Sequence, residues 1–190
     1  LSSAFFLLFS SDNDDTTPEP RGNYEGGLFI ANEGQFLKSN GNVSYLSDDL
    51  KIENNVFSLL NPEKTTNDII QCIGFNGDFA YLIVNNSNKI EVVNRYTFKS
   101  VATITASIKN PRYIAFANGK GYVTNWGVGE DANDDYVGIL DLATNTITSK
   151  IPVVEGPEKI IENGGKLYVT HKGGYNFGNS LTVINSATNS

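Results

Sequence analysis

Short apolar segments recur along this chain at an interval of about 45 residues, and this repeat constrains the fold more than any other feature. In one series, each segment closes on a small polar residue, and the end points are Ser47, Asn94, Asp141 and Asn185. The intervals between these end points are 47, 47 and 44 residues. Self-similarity at such a period is the signature of a protein that stacks copies of one supersecondary unit. We therefore expect about four similar units.

Three further series complete the unit. One precedes the first series and also ends in polar residues, at Asn32, Asn85, Asn125 and His171. Another closes on Asn-Gly at 76–77, 118–119 and 163–164, and this pair favours a tight hairpin because a type I′ turn needs positive φ at both central residues. The last is β-branched and half polar, as expected of an outer strand, and comprises 56–59, 100–104 and 146–151.

Each unit therefore predicts a four-stranded antiparallel sheet, and sheets of this kind at this period are typical of the blades of a β-propeller. We expect an all-β propeller domain over residues 24–190 with about four blades. The first unit, near 24–59, lacks a clear innermost strand, and the sequence stops in the turn before the last outer strand. We thus expect an incomplete part of a larger propeller of about seven blades.

Residues 1–23 differ from the rest of the chain in composition. The apolar run at 4–9 is too short to span a bilayer and is typical of the tail of a signal peptide. A polar, acidic, proline-containing stretch follows to Asn23 and predicts a flexible tether. This arrangement resembles exported lipoproteins of Gram-negative cells, although no cysteine stands near positions 9–12. We expect an exported protein of the cell surface, outer membrane or periplasm, whose only link to the membrane would be an N-terminal anchor, if the chain carries one.

Charge and composition exclude several functions. The net charge of −7 argues against nucleic-acid binding, which requires a surplus of Lys and Arg on at least one face. The single cysteine, Cys72, excludes an internal disulfide, and the single histidine, His171, excludes a multi-histidine metal centre within one chain. The sequence contains neither a Gly-x-Ser-x-Gly elbow nor a His-Glu-x-x-His motif. We predict a non-enzymatic protein without a cofactor or metal.

Two segments carry a family resemblance. Residues 121–125, Gly-Tyr-Val-Thr-Asn, contain the signature of the YVTN propeller repeat, and residues 166–171 are a variant of it. Residues 85–93 resemble the matching segment of exported YncE-like propellers, including the DUF5074 family, and the resemblance covers roughly residues 24–190. Some similar proteins are surface lipoproteins that capture cobalamin beside a TonB-dependent outer-membrane transporter, and others look like surface-layer proteins without a known ligand. The resemblance thus implies a corrinoid ligand and such a transporter as candidate partners.

We expect a ligand to bind at the top face, which is the edge opposite the Asn-Gly turns. The loops there are long, varied and polar, and functional residues concentrate on such loops when a rigid scaffold holds them. Polar residues at one position per unit would form a ring, aromatic residues would give flat apolar contact, and cations before two inner strands would meet an anionic group. The candidate ligand-binding residues are Asn32, Asn85, Asn125, Trp126, His171, Tyr175, Arg112 and Lys159.

Each of these residues also has a structural interpretation. The asparagines could bind the backbone of their own loops, Trp126 could pack between blades, and Arg112 and Lys159 could form salt bridges to a neighbouring blade. His171 could be an axial ligand of a corrin or haem metal, or simply a polar loop residue. The acidic residues 130–135 could hold Ca²⁺ or be a solvated loop.

Three functions follow from this sequence. The first is an exported propeller that binds a ligand without chemistry, with a corrinoid handed to an outer-membrane transporter as the most concrete version. The second is a protein-interaction scaffold at the cell surface. The third is a propeller hydrolase such as a lactonase.

Overall fold

The strands form four antiparallel sheets in chain order, as seen in a computed structural model that describes residues 20–66 and 68–190. The repeat predicted from the sequence is therefore confirmed as a series of propeller blades. The signal remnant predicted at the N-terminus, and most of the tether, lie outside the described residues.

The sheets are numbered 1 to 4. Sheet 1 contains β1 (Leu28–Asn32), β2 (Asn42–Leu46) and β3 (Ile52–Glu53), and the short helix α1 (Val56–Leu60) follows it. Sheet 2 contains β4 (Ile70–Asn76), β5 (Phe79–Val84), β6 (Lys89–Asn94) and β7 (Ser100–Ile104). Sheet 3 contains β8 (Pro111–Ala117), β9 (Lys120–Asn125), β10 (Tyr136–Asp141) and β11 (Thr146–Pro152). Sheet 4 contains β12 (Pro157–Asn163), β13 (Lys166–His171) and β14 (Leu181–Asn185).

In sheets 2, 3 and 4, the polar residue that recurs at the end of the third strand caps the turn that follows. The Asn94 Oδ1 atom accepts hydrogen bonds from the backbone N–H groups of residues 96 and 97, at 2.9 and 3.0 Å. The Asp141 Oδ1 atom does the same for residues 143 and 144, and Asn185 for residue 187. Short side chains with an oxygen at this position suit such turns, and this explains why the unit closes on Asn or Asp.

The three Asn-Gly pairs all lie at tight hairpins, as predicted, but the turn begins at different residues. Asn118 and Gly119 are the two central residues of their turn, with φ of 49° and 72°. In sheet 4 the strand extends one residue further, so that Gly164 and Gly165 form the turn with φ of 61° and 78°. Gly77 opens the sheet 2 turn in the same way, with φ of 54°. All these backbone angles are ones that Gly and Asn tolerate.

Neighbouring sheets pack face to face, as propeller blades do. Between sheets 2 and 3, Tyr81 and Val92 pack with Ile114 and Leu140 in one buried cluster. The approach is so close that the Cβ atom of any side chain at Gly74 would clash with Ile114 Cγ2. Each unit thus buries one face of its sheet only against the next unit.

A similar cluster joins sheet 3 to sheet 4. Tyr122 and Ile139 of sheet 3 pack there with Ile160, Leu167 and Ile184 of sheet 4. The described residues show no comparable packing of sheet 4 on sheet 1, so the four sheets do not close a ring. No helix among the described residues has the length and apolar character needed to cross a bilayer.

The expected outer strand at 56–59 is wrong, because these residues belong to helix α1. A strand would place Val56 and Ser58 on one face, whereas the helix buries the adjacent Val56 and Phe57 in the cluster that joins sheets 1 and 2. Asn61 ends the helix, and its Nδ2 atom donates to the carbonyl oxygens of Phe57 and Phe98. The edge of sheet 1 is formed instead by the two-residue strand β3.

Candidate functional site

The loops after β1, β5, β9 and β13 reach the same edge of the molecule, opposite the Asn-Gly hairpins, because every sheet has the same antiparallel order. We call this edge the top face and the cleft in it the top cleft. The top cleft has a volume of about 370 Å³. Residues from the loops of all four sheets and from the start of β8 line it, and these seven are Phe36, Asn85, Arg112, Trp126, Lys172, Gly174 and Tyr175.

Trp126 is held rigidly at the centre of the top cleft. Its ring is 6% exposed, and its Nε1 atom donates a hydrogen bond to the carbonyl oxygen of Pro157 at 3.0 Å. The ring of Tyr175 meets it edge to face at a centroid distance of 6.2 Å, while Tyr175 itself is 71% exposed. Trp126 therefore bridges sheets 3 and 4, as one interpretation of the sequence allowed, and it also lines the top cleft.

Arg112 forms a salt bridge between sheets, as one interpretation of the sequence allowed. Its Nε and Nη2 atoms donate to the two carboxylate oxygens of Glu158 at 3.0 and 2.8 Å. The carboxylate compensates the charge of Arg112, although the guanidinium still lines the cleft. The ammonium of Lys172 lies 5.6 Å from the Trp126 ring centroid and forms no ion pair within the described part of the chain. Lys172 is thus the available cation of the top cleft.

Asn85 lines the top cleft but does not occupy the blade position of Asn125 and His171. Val84 pairs with the first residue of β4 as Asn125 does with Pro111 and His171 with Pro157, so Asn85 stands one residue further on, level with Trp126. The Asn85 Nδ2 atom donates to Asn110 Oδ1 at 2.9 Å and to the Pro111 carbonyl oxygen at 3.0 Å. The side chain therefore fixes the start of β8.

Asn125 and Asn32, two other residues of the predicted ring, form hydrogen bonds within the protein and do not line the top cleft. Asn125 is fully buried, and its amide donates to the Val123 carbonyl at 2.8 Å and accepts from the Lys109 N–H at 3.1 Å. The exposed Asn32 donates to Ser44 Oγ at 2.8 Å. A closed ring of amides around a mouth is consequently not the arrangement found.

His171 and Lys159 also lie away from the top cleft. His171 Nδ1 is 3.2 Å from the Glu155 carbonyl oxygen and Nε2 is 2.9 Å from Thr182 Oγ1, so both ring nitrogens have partners. Burial lowers the pKa of His171, which keeps the ring neutral. The Nζ atom of Lys159 lies 5.5 Å from the ring centroid of Tyr113 on an exposed part of the inner strand β12.

The acidic residues at 130–135 bind backbone N–H groups of neighbouring segments. Asp134 Oδ2 accepts a hydrogen bond from the Val128 N–H at 2.8 Å, and Asp135 accepts one from the Gly156 N–H. Burial is the main cause that raises the pKa of Asp135 to about 6. Within residues 20–66 and 68–190, no group of three or more His, Cys, Asp or Glu side chains is placed to hold a metal ion.

Sequence reasoning did not identify Lys172 or Glu158 as functional residues. The signal for Lys172 was the strand register, because it stands level with Trp126 once β9 and β13 are aligned from their hairpins. Glu158 occupies in β12 the position that Arg112 occupies in β8, next to the first residue of the inner strand. Opposite charges at equivalent positions of neighbouring units predict the salt bridge that the structure contains.

Comparison with known proteins identifies a family and a fold. A family model described as a domain of unknown function (DUF5074) matches residues 26–190. A search of curated proteins found no match to this sequence.

Three solved structures are similar in fold. The hydrazine synthase of Kuenenia stuttgartiensis is 18% identical, with 76% of this chain and 40% of that chain covered and a TM-score of 0.56. A protein of unknown function from Bacteroides caccae is 13% identical, with coverage of 77% and 56% and a TM-score of 0.51. Apo AztD from Citrobacter koseri is 12% identical, with coverage of 89% and 43% and a TM-score of 0.50. This chain thus spans about half the length of the structures it matches.

Proposed function

This chain belongs to the DUF5074 family, and we propose that it is a non-catalytic, exported β-propeller that binds a ligand in the top cleft. The observation that carries the proposal is the convergence of loops from all four sheets on one concave site. Long loops on a rigid scaffold are where binding residues concentrate.

Exposed aromatic side chains support a binding role for the top cleft. Phe36 is 57% exposed and Tyr175 is 71% exposed, and both lie at its rim. Leaving such large apolar surfaces in water is unfavourable unless a partner covers them. Trp126 offers a fixed ring between them, which reduces the entropy lost when a flat ligand binds.

The lining favours binding over chemistry. Among the described residues that line the top cleft there is no Ser, Thr, Cys, His, Asp or Glu. These residue types supply most general bases and nucleophiles of enzymes, and the lining groups that could transfer a proton are the side chains of Lys172 and Tyr175. The described lining therefore contains no Ser–His or Cys–His pair of the kind that would favour the hydrolase alternative.

A corrinoid is the ligand class that we propose. Its broad ring has apolar surface for Phe36, Trp126 and Tyr175, and its peripheral amides can exchange hydrogen bonds with polar groups at the rim. Cobalamin also contains a phosphodiester, which would meet the ammonium of Lys172. Cobinamide lacks that phosphodiester. As part of the same proposal, the bound corrinoid passes to a TonB-dependent outer-membrane transporter.

Calorimetric titration of the full-length protein with cobalamin and with cobinamide tests this function. We expect binding of both, weakened about tenfold or more by Tyr175→Ser or Phe36→Ser, since aromatic anchors dominate such sites. Leu59→Ser is the matched control, because Leu59 is 64% exposed on helix α1 and does not line the cleft. Lys172→Gln should weaken cobalamin binding and leave cobinamide binding unchanged.

Two other results would contradict corrinoid binding or favour the scaffold alternative. No heat change with either corrinoid at micromolar protein would reject the corrinoid ligand. The scaffold alternative has one observation in its favour, because Phe177, in the same loop as Tyr175, is fully exposed. Co-purification of an outer-membrane transporter that is lost in Phe177→Ser, and that corrinoids do not change, would favour this alternative.

A further inference from the structure

A second cavity lies between sheets 2 and 3 at the opposite edge from the top cleft. It has a volume of about 330 Å³, which is at the lower end of the range for small-molecule sites. Most of its wall is apolar and comes from Phe79, Val92, Val101 and Leu142. We call it the interblade pocket. Because it lies at the opposite edge and shares no lining residue with the top cleft, it is not part of the proposed corrinoid site.

Two polar groups in the wall of the interblade pocket have no partner. The Oδ1 atom of Asn145 is buried and accepts no hydrogen bond. Tyr81, which also lines the pocket, is 1% exposed, and among the described residues its hydroxyl has none of the hydrogen bonds that the Tyr122 hydroxyl forms. A buried acceptor without a donor is unfavourable, since it has lost water and gained nothing in return.

The equivalent place between sheets 3 and 4 shows what these groups do when they are paired. Tyr122 stands there in the position of Tyr81, and Asn189 in the position of Asn145. The Tyr122 hydroxyl donates to Asn189 Oδ1 at 2.8 Å and lies 3.2 Å from the Ser186 carbonyl oxygen. The same two residue types thus form a direct hydrogen bond in one interface and leave both groups free in the other.

Three sequence changes between the units make the interblade pocket apolar. Asn118 and Ser186, which hydrogen-bond to each other at 2.9 Å beside Tyr122, are replaced at the equivalent positions by Gly77 and Leu142. The position of Lys120 is taken by Phe79. The glycine removes a side chain, and the leucine and phenylalanine replace polar ones. The interface between sheets 2 and 3 therefore differs from the one between sheets 3 and 4 at the residues around the tyrosine hydroxyl.

We propose that the interblade pocket binds a small aromatic alcohol of the phenol class. Its ring would lie against Phe79, Val92 and Leu142, and its hydroxyl would donate to Asn145 Oδ1 and accept from the Tyr81 hydroxyl. One hydroxyl group satisfies both free groups at once, which an apolar molecule of the same shape cannot do. Burial raises the pKa of Tyr81, so its hydroxyl keeps the proton that it donates.

Titration of the full chain with p-cresol and with toluene, followed by NMR chemical shifts, tests this proposal. We expect p-cresol to bind about five- to tenfold more tightly than toluene, because only p-cresol has the hydroxyl. Asn145→Gly should reduce this preference without loss of toluene binding, because the bond from the Tyr81 hydroxyl remains. Asn145 has φ of 53°, which glycine adopts without strain.

Asn189→Gly is the matched control, since Asn189 has φ of 59° in the equivalent turn and does not line the interblade pocket. It should leave the binding of p-cresol unchanged. Tyr81→Phe, which removes only an unpaired hydroxyl, should weaken p-cresol binding and leave the fold intact. Equal binding of the two probes, binding of neither, or an unchanged preference in Asn145→Gly would each overturn the proposal. Unchanged Trp126 fluorescence on p-cresol binding would locate it away from the top cleft.

Discussion

The guanidinium of Arg112 lies 4.1 Å from the ring centroid of Trp126 while it holds the carboxylate of Glu158 with two hydrogen bonds. Arg112 and Trp126 belong to sheet 3 and Glu158 to sheet 4, so this stack joins two blades at the base of the top cleft. A cation over an indole ring is favourable, and more so when water is largely excluded. The cleft is therefore organised before any ligand arrives.

Glu158→Gln should destabilise the fold by about 1–3 kcal/mol, because it leaves Arg112 as a largely buried cation without a carboxylate. The Arg112 and Glu158 side chains are only 11% and 15% exposed, so solvent screens the pair weakly. Urea unfolding followed by circular dichroism measures the change. Glu63→Gln is the control, since Glu63 is exposed and forms no ion pair with the described residues. Equal unfolding midpoints for both variants would contradict the importance of the stack.

The two interblade tyrosines should respond differently to loss of their hydroxyls. Tyr122→Phe removes a hydrogen bond to Asn189 and should cost about 1–2 kcal/mol, whereas Tyr81→Phe removes an unpaired group and should change stability by less than about 0.5 kcal/mol. Both variants keep the ring and its packing. Urea unfolding of the pair under identical conditions checks the difference. A loss on Tyr81→Phe as large as that on Tyr122→Phe would show that Tyr81 has a partner.

Most strands could be predicted from the sequence, whereas most contacts of the site could not. The strands depend on interactions between residues close in sequence, and the site depends on contacts between units. Alternation of apolar residues and Asn-Gly turns are local signals, so the strands from β4 onward were predicted closely. Helix α1 was missed because the segment 56–59 is too short to distinguish a helical period from a strand. The burial of Phe57 depends on sheet 2, which the local pattern does not contain.

The same distinction between local signals and contacts between units applies to the site residues. Trp126 and Tyr175 were predicted from loop length and chemistry alone, and they do meet in one cleft. His171 was placed in a polar ring because it recurs with Asn125, yet the direction of its side chain depends on Glu155 and Thr182. Contacts between units set those directions, and they follow from the sequence only when the strand register is known to the residue.

Asp135 should make the protein less stable as the pH rises from about 4 to about 6. Its pKa is raised to about 6 by burial, so the folded state binds the proton more tightly than the unfolded state does. The stabilisation present below pH 4 is lost as the pH passes through the folded pKa, and amounts to roughly 2–3 kcal/mol. Asp135→Asn should therefore be more stable than the parent protein at pH 7.5 and nearly equal to it at pH 4.

Asp135→Asn must be compared with the parent protein because His171 changes the free energy of unfolding with pH in the opposite direction. Its pKa is lowered by burial, so its contribution is present above the unfolded pKa and lost as the pH falls. Subtracting the unfolding free energies of Asp135→Asn and the parent protein removes the effect of His171, which both contain. A difference that does not vary between pH 4 and 7.5 would show that Asp135 titrates normally.

The residue that caps the turn after the third strand can be tested by comparison with its equivalents in the other units. Asp141 accepts hydrogen bonds from the N–H groups of Thr144 and Ala143, and these bonds lower its pKa. Asn94 and Asn185 make the same kind of bond with a neutral amide oxygen at the equivalent positions. Asp141→Asn should therefore keep the turn, whereas Asp141→Ala should lower the urea midpoint, because alanine offers no acceptor. As the pH falls through the lowered pKa, the parent protein loses the carboxylate's contribution and Asp141→Asn does not, so the advantage of Asp over Asn should shrink in acid. Equal midpoints for the Ala and Asn variants would mean that the recurring Asn or Asp is not what closes each unit.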